Sequence, residues 1–167
     1  MFPATGSSVK RSRIALVELI APRVLIAAAP SAARRLQAVL AGHGSTLVRT
    51  VEEAREALAA ERFALAILGV YFDESRMFDV MSYARTGGRN RDVPIVCVRG
   101  MPGSMSPVTL RMLEQTINAL SGCEYLDLVG IPDDEAGNAL VLRRLARHLG
   151  PILPPPTPDT PALRPTP

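Results

Sequence analysis

The sequence predicts an α/β three-layer sandwich built on a doubly wound, five-stranded parallel sheet. Three observations carry that expectation. Short continuous apolar runs at Val24–Ala29, Phe63–Leu68 and Val93–Val98 have the length and pattern of strands buried on both faces. Amphipathic helical stretches alternate with them along the chain. Glycine or proline punctuates most junctions, at Pro30, Gly42, Gly44, Gly87, Gly88, Gly122 and Gly150.

The first run, Val24–Ala29, ends at Pro30-Ser31. A helix follows, with Leu36, Val39 and Leu40 inward and Arg34, Arg35 and Gln37 toward water. Gly42-His43-Gly44 stops it before a short strand at Thr46–Arg49. Thr50 with Glu53 three residues on is a capping box, and opens a helix through Ala54, Leu58 and Ala59. After the Phe63–Leu68 strand, Ser75–Arg85 reads as a helix with Met77, Val80, Met81 and Ala84 as its apolar stripe, closed by Gly87-Gly88. Val93–Val98 is the fourth strand. Pro107 suits the first turn of a helix running to about Leu120, with Leu110, Leu113 and Ile117 inward. Tyr125–Val129 is the fifth strand. Asp133, Asp134 and Glu135 begin a last helix that carries Leu140, Arg143, Arg144 and Arg147 and stops at Gly150-Pro151. Right-handed crossovers turn five such units into the flavodoxin-like strand order 2-1-3-4-5.

The ends of the chain differ from the middle. Residues 1–21 read as a flexible arm with a small basic cluster, Lys10, Arg11 and Arg13. Residues 151–167 hold eight prolines and read as a disordered or polyproline-like tail. The folded domain is expected over 22–150. A net charge of +3 is too mild to argue nucleic-acid binding, and 4% aromatic residues with no Trp offer no stacking platform. No apolar run reaches the ~18 residues of a membrane span, and the start lacks a signal-peptide pattern, so a cytoplasmic location is expected. Cys97 and Cys123 lack metal-like spacing and read as buried small hydrophobes.

Residues 23–149 resemble the receiver domain of response regulators (CheY-like), an identification carried by the stretch from Arg23 to Leu36 and by the hydrophobic frame of the later strands. In that family two acidic residues ending the first strand hold Mg²⁺; their places here are Ala28 and Ala29. The phosphoacceptor aspartate falls on Gly69, within Gly69-Val70-Tyr71-Phe72-Asp73, and the loop proline on Asp73. The switch Thr or Ser falls on Arg99, and the lysine after the fifth strand on Leu128. The segment from Arg99 to Tyr125 is longer than the pattern. Phosphoryl transfer to a carboxylate needs the nucleophile, a divalent ion on hard oxygen ligands and cationic help. The resemblance therefore implies a receiver without its phosphorylation chemistry: no catalytic residues, no metal and no cofactor.

Several residues admit two readings. Asp73, Glu74 and Asp79, the carboxylates nearest the vacant site, read either as a displaced acidic site or, as expected, as helix-start residues, with Asp73 or Ser75 capping the third helix and Glu74 complementing its dipole. Arg99 reads either as an anchor for an anion or nucleotide, or as a structural plug paired with Asp73. Asp133, Asp134 and Glu135 fit dipole complementarity better than a metal site. Arg143, Arg144, Arg147 and His148 form a basic face or a solvated helix end, and His43 has no partner close in sequence. Gly100-Met101-Pro102-Gly103 lacks the spacing of a phosphate-binding loop.

The expected function is a phosphorylation-independent pseudo-receiver, a protein–protein interaction module in bacterial two-component signal transduction. Its partner would be a signalling protein or a second copy of the chain, as a homodimer, with no membrane and no nucleic acid involved. The receiver resemblance implies the face of the fourth helix, fifth strand and fifth helix, and Met101, Met105 and Met112 would lend it an adaptable apolar surface. The alternative is a small-ligand sensor that holds an anion or nucleotide in the vacated strand-end crevice.

Overall fold

The computed structural model describes residues 23–149. The expectations for the N-terminal arm and the proline-rich tail lie outside these residues. Within them the chain alternates β1 (Val24–Ala27), α1 (Pro30–Val39), β2 (Ser45–Val48), α2 (Val51–Ala60), β3 (Leu65–Gly69), α3 (Met77–Arg85), β4 (Ile95–Arg99), α4 (Pro107–Ala119), β5 (Cys123–Asp127) and α5 (Glu135–Leu149). All strand pairs are parallel and the order is β2-β1-β3-β4-β5.

The two faces of the sheet bury separate sets of side chains, because successive residues of a strand point to opposite sides. Leu25, Ala27, Leu68, Ile95 and Cys97 meet α2, α3 and α4. Ile26, Leu65, Ile67, Val96, Val98 and Leu126 meet Leu36 of α1 and Val141, Leu145 and Leu149 of α5. That division is the three-layer sandwich.

Several boundaries differ from the sequence expectation, each for a local reason. β1 ends at Ala27, so Ala28 and Ala29 lie beyond it. Phe63 precedes β3 because its N–H is taken by the side chain of Asn90 at 2.9 Å, while the Asn90 amide donates to the carbonyls of Leu58 and Glu61. This buried asparagine sutures the α2–β3 turn. Thr50 caps α2 as expected by accepting from the Glu53 N–H, but Glu53 reaches the N–H of Arg49 rather than that of Thr50. β5 starts two residues earlier than expected, at Cys123.

The largest departure is at α3, which starts at Met77 with no side-chain cap. Asp73, Glu74 and Ser75 precede it with φ of 42°, 59° and 68°. Three consecutive non-glycine residues in the left-handed region cannot belong to a right-handed helix. The expected capping of α3 by Asp73 or Ser75 is therefore corrected. The Asp73 carboxylate accepts from the Val51 N–H at 2.9 Å, serving the first turn of α2 instead.

α4 departs in another way. Ile117 alone is fully buried on it; Leu110 and Leu113, expected inward, are half-buried. Val108 and Met112 are more than half exposed, at 60% and 63%.

Candidate functional site

The strand register brings the candidate positions to one end of the sheet. Ala27 pairs with Leu68, so Ala28 follows beside Gly69, which pairs with Val98. Arg99 pairs with Asp127 one step further on. The ladder extends past β5, since Leu128 N–H donates to the Arg99 carbonyl at 2.9 Å. Ala28, Ala29, Gly69, Arg99 and Leu128 thus share the carboxyl end of the strands, where open α/β sheets form their sites.

Small residues have let this end close. A Cβ on Gly69 would stand 3.0 Å from the Ala28 Cα and 3.2 Å from its Cβ. On Gly100 it would fall 2.2 Å from the Ala32 Cβ, and on Gly103 1.8 Å from the Tyr71 hydroxyl. The loop after β4 therefore lies against the start of α1 and against Tyr71, in contact only glycine permits. The Tyr71 hydroxyl is buried with no hydrogen-bond partner among the described residues. An unmet buried hydroxyl costs about 1–3 kcal/mol. Tyr71→Phe is accordingly expected to melt no lower than the wild type; a loss above about 1 kcal/mol would show that the hydroxyl has a partner.

Arg99 is held by β5. Its Nε and Nη2 donate to the two oxygens of Asp127 at 3.0 and 2.5 Å, a bidentate pair. The bond to Asp127 raises the Arg99 pKa above its ordinary value, against the opposing effect of burial. The expected pairing of Arg99 with Asp73 is corrected: neighbouring strands face each other across 28 residues of sequence, and Asp73 is committed to Val51 N–H and to Arg76, 3.5 Å away. The plug exists with a different partner. Asp127 thereby engages two of the Arg99 donors, at Nε and Nη2.

A second arginine, absent from the sequence-based candidates, fixes the same end. Arg35 sits on α1 with its side chain 10% exposed. Its guanidinium donates to the carbonyls of Leu128, Ile131 and Pro132 and to Asn138, and lies 3.4 Å from Asp133. It was expected to face water. Helical periodicity places arginine outward by default, and nothing in the sequence announces a cluster of carbonyls from a loop about a hundred residues away.

The remaining candidates resolve locally. Asp134 accepts from the Gly137 N–H at 2.8 Å and caps α5. A single carboxylate, Glu124, receives both Arg147 and His148, at 2.7 and 3.1 Å. Arg143 and Arg144 are exposed. His43 is buried in the turn after α1, both ring nitrogens unpartnered among the described residues. Cys97 is buried and Cys123 half-buried; burial pushes the Cys97 thiol up to about 12, so it stays protonated and unreactive at neutral pH. Met101 and Met112 are exposed, while Met105 packs partly against the core beneath α4.

These residues do not fit a magnesium ion. Ala28, Ala29 and Gly69 offer no side-chain oxygen, the nearby Asp73 is already bonded, and no cluster of three or more His, Cys, Asp or Glu able to hold a metal occurs among the described residues.

Fold and site together define an α/β domain of the receiver-type fold in which positions 28, 29 and 69, at the carboxyl end of the strands, carry no acid group. Solved structures bear out the fold. The chain is similar to a response regulator from Hahella chejuensis, with 19% identity, TM-score 0.57, and coverage of 77% of this chain and 94% of that one. A sensor protein from Polaromonas sp. JS666 shares 23% identity at TM-score 0.58, over 77% and 95% of the two chains. The receiver domain of a sensor histidine kinase from Pseudomonas aeruginosa PAO1, solved with magnesium coordinated in its active-site cleft, shares 17% at TM-score 0.55, over 78% and 98%. No family model and no curated protein matches the chain. No helix among the described residues is long and apolar enough to cross a membrane.

Proposed function

We propose that this chain is a phosphorylation-independent pseudo-receiver: a protein–protein interaction module of two-component signal transduction, without enzymatic activity, whose partner is a signalling protein or a second copy. One observation supports this above the others. At Gly69 the crevice lacks an acceptor carboxylate, and a Cβ there would stand tight against the Ala28 main chain, at 3.0 Å. Together with Ala28 and Ala29, which offer the metal nothing, this removes nucleophile and ion at once. With that chemistry gone, surface contacts remain the means of action. The thinly buried α4, with Val108 and Met112 exposed, presents an apolar surface beside β5 and α5.

The test is direct. Incubation of the purified chain with acetyl phosphate and Mg²⁺ is expected to give no mass increase. A phosphoryl adduct mapped by digestion to an aspartate within residues 65–80 would overturn the reading.

A further inference from the structure

We infer that the chain binds a small oxyanion of phosphate type beside α1, at a place distinct from Arg99 and from the α4 surface. The evidence is a cavity of about 230 Å³ between the start of α1 and the edge strand β2, lined by Ala28, Pro30, Ala33, Gln37 and Leu47 with Arg34 and Arg49. Arg34 comes from the second turn of α1 and Arg49 from the residue after β2, so two separate elements contribute a guanidinium to the same cavity.

Neither guanidinium lies within salt-bridge distance of a carboxylate among the described residues, whereas Arg23, Arg35, Arg76, Arg99 and Arg147 all do. The neighbouring acid, Glu53, spends an oxygen on the Arg49 main-chain N–H at 2.7 Å, not on its side chain. Ala28 is the third element. It forms part of the cavity wall and is 6% exposed. A carboxylate there would supply the counter-charge to both arginines; a methyl group supplies none and leaves a net positive recess.

Guanidinium groups bind phosphate oxygens through paired N–H donors, and Gln37 adds an uncharged amide donor on the same wall. The volume of about 230 Å³ accommodates a phosphate or a phosphomonoester headgroup. The ligand class is therefore a dianionic oxyanion, either free or carried on a phosphorylated side chain. The site is independent of the interaction-module reading: an aspartyl-phosphate adduct would remove that reading and leave this one standing.

The test is a titration with inorganic phosphate and, in a second arm, with end-capped phosphoserine, at constant ionic strength set by NaCl and followed by backbone amide NMR shifts. Saturable shifts confined to residues 28–37 and 47–50 are expected. Arg34→Gln with Arg49→Gln, both at exposed positions, should weaken binding at least tenfold. Ala28→Asp, which builds in the missing counter-charge, should abolish it. Tighter binding of phosphoserine than of phosphate assigns the ligand to a modified side chain, and the reverse to the free ion. Shifts that rise linearly without saturation, or that are the same in the double variant, overturn the proposal.

Discussion

Gly69→Asp is expected to destabilise the fold without restoring any phosphorylation. Gly69 is the last residue of β3 and buried, and its α-hydrogens face Ala28 across the β1–β3 pair. Adding a Cβ brings it 3.0 Å from the Ala28 Cα, a main-chain atom that cannot rotate away. Overpacking of this kind costs about 1–3 kcal/mol. The carboxylate beyond that Cβ would be buried beside Ala28 and Ala29 with no cation to pair it, which adds a further penalty until it takes up a proton. The combined loss should lower the melting temperature by roughly 10 °C for a domain of this size. Millimolar Mg²⁺ should recover none of it, since a ligand stabilises only through a site in the native state. The wild type should likewise show no Mg²⁺-dependent rise in melting temperature. A Gly69→Asp protein that melts with the wild type would show that the crevice is open, and either protein gaining stability with Mg²⁺ would show that carboxylates such as Asp73 rebuild a metal site.

The fold was legible because its signals are redundant. The βα alternation survives a misplaced boundary, and buried parallel strands such as Leu65–Gly69 and Ile95–Arg99 announce themselves by unbroken apolar runs. The absent groups were legible too: alanine and glycine at 28, 29 and 69 are visible without a structure. What could not be read was how the polar groups around them pair. Asp73 looks like a cap for the helix that follows it, yet left-handed φ values at 73–75 turn its carboxylate back to α2. Arg99 and Asp127 meet only because β4 and β5 are neighbours in a particular register. A shift of one residue would have sent the two side chains to opposite faces. Burial of His43 and of the Tyr71 hydroxyl without partners among the described residues runs against the preference of polar groups for bonded or solvated places, so no sequence rule would have predicted it.

Arg35→Ala is expected to be among the most damaging single changes in the domain, although helical periodicity marks the position as an exposed arginine. The side chain runs from α1 to the β5–α5 connection and supplies the partners of three main-chain carbonyls, those of Leu128, Ile131 and Pro132. It also bonds Asn138 in the first turn of α5 at 2.9 Å, while Asp133 balances its charge from the exposed side. The ion pair itself contributes little, because Asp133 is 65% exposed and screened. The weight lies in the hydrogen bonds to a charged donor, each about 1.5–3 kcal/mol when its acceptor is shielded. Alanine leaves the Leu128 and Ile131 carbonyls part-buried without that donor, and water recovers some of the loss at Pro132, where the contact is exposed. A net destabilisation of about 3 kcal/mol follows. Arg35→Lys should recover less than half of it, because an ammonium is a point charge and cannot reproduce the planar spread of the guanidinium over four acceptors. Faster amide exchange should accompany the loss at residues 128–138, where the loop and the start of α5 lose their tie to α1. Urea unfolding of the alanine and lysine variants, read with hydrogen exchange over that segment, measures both effects. An alanine variant within about 0.5 kcal/mol of the wild type would show that Arg35 lies in solvent, as a surface position does.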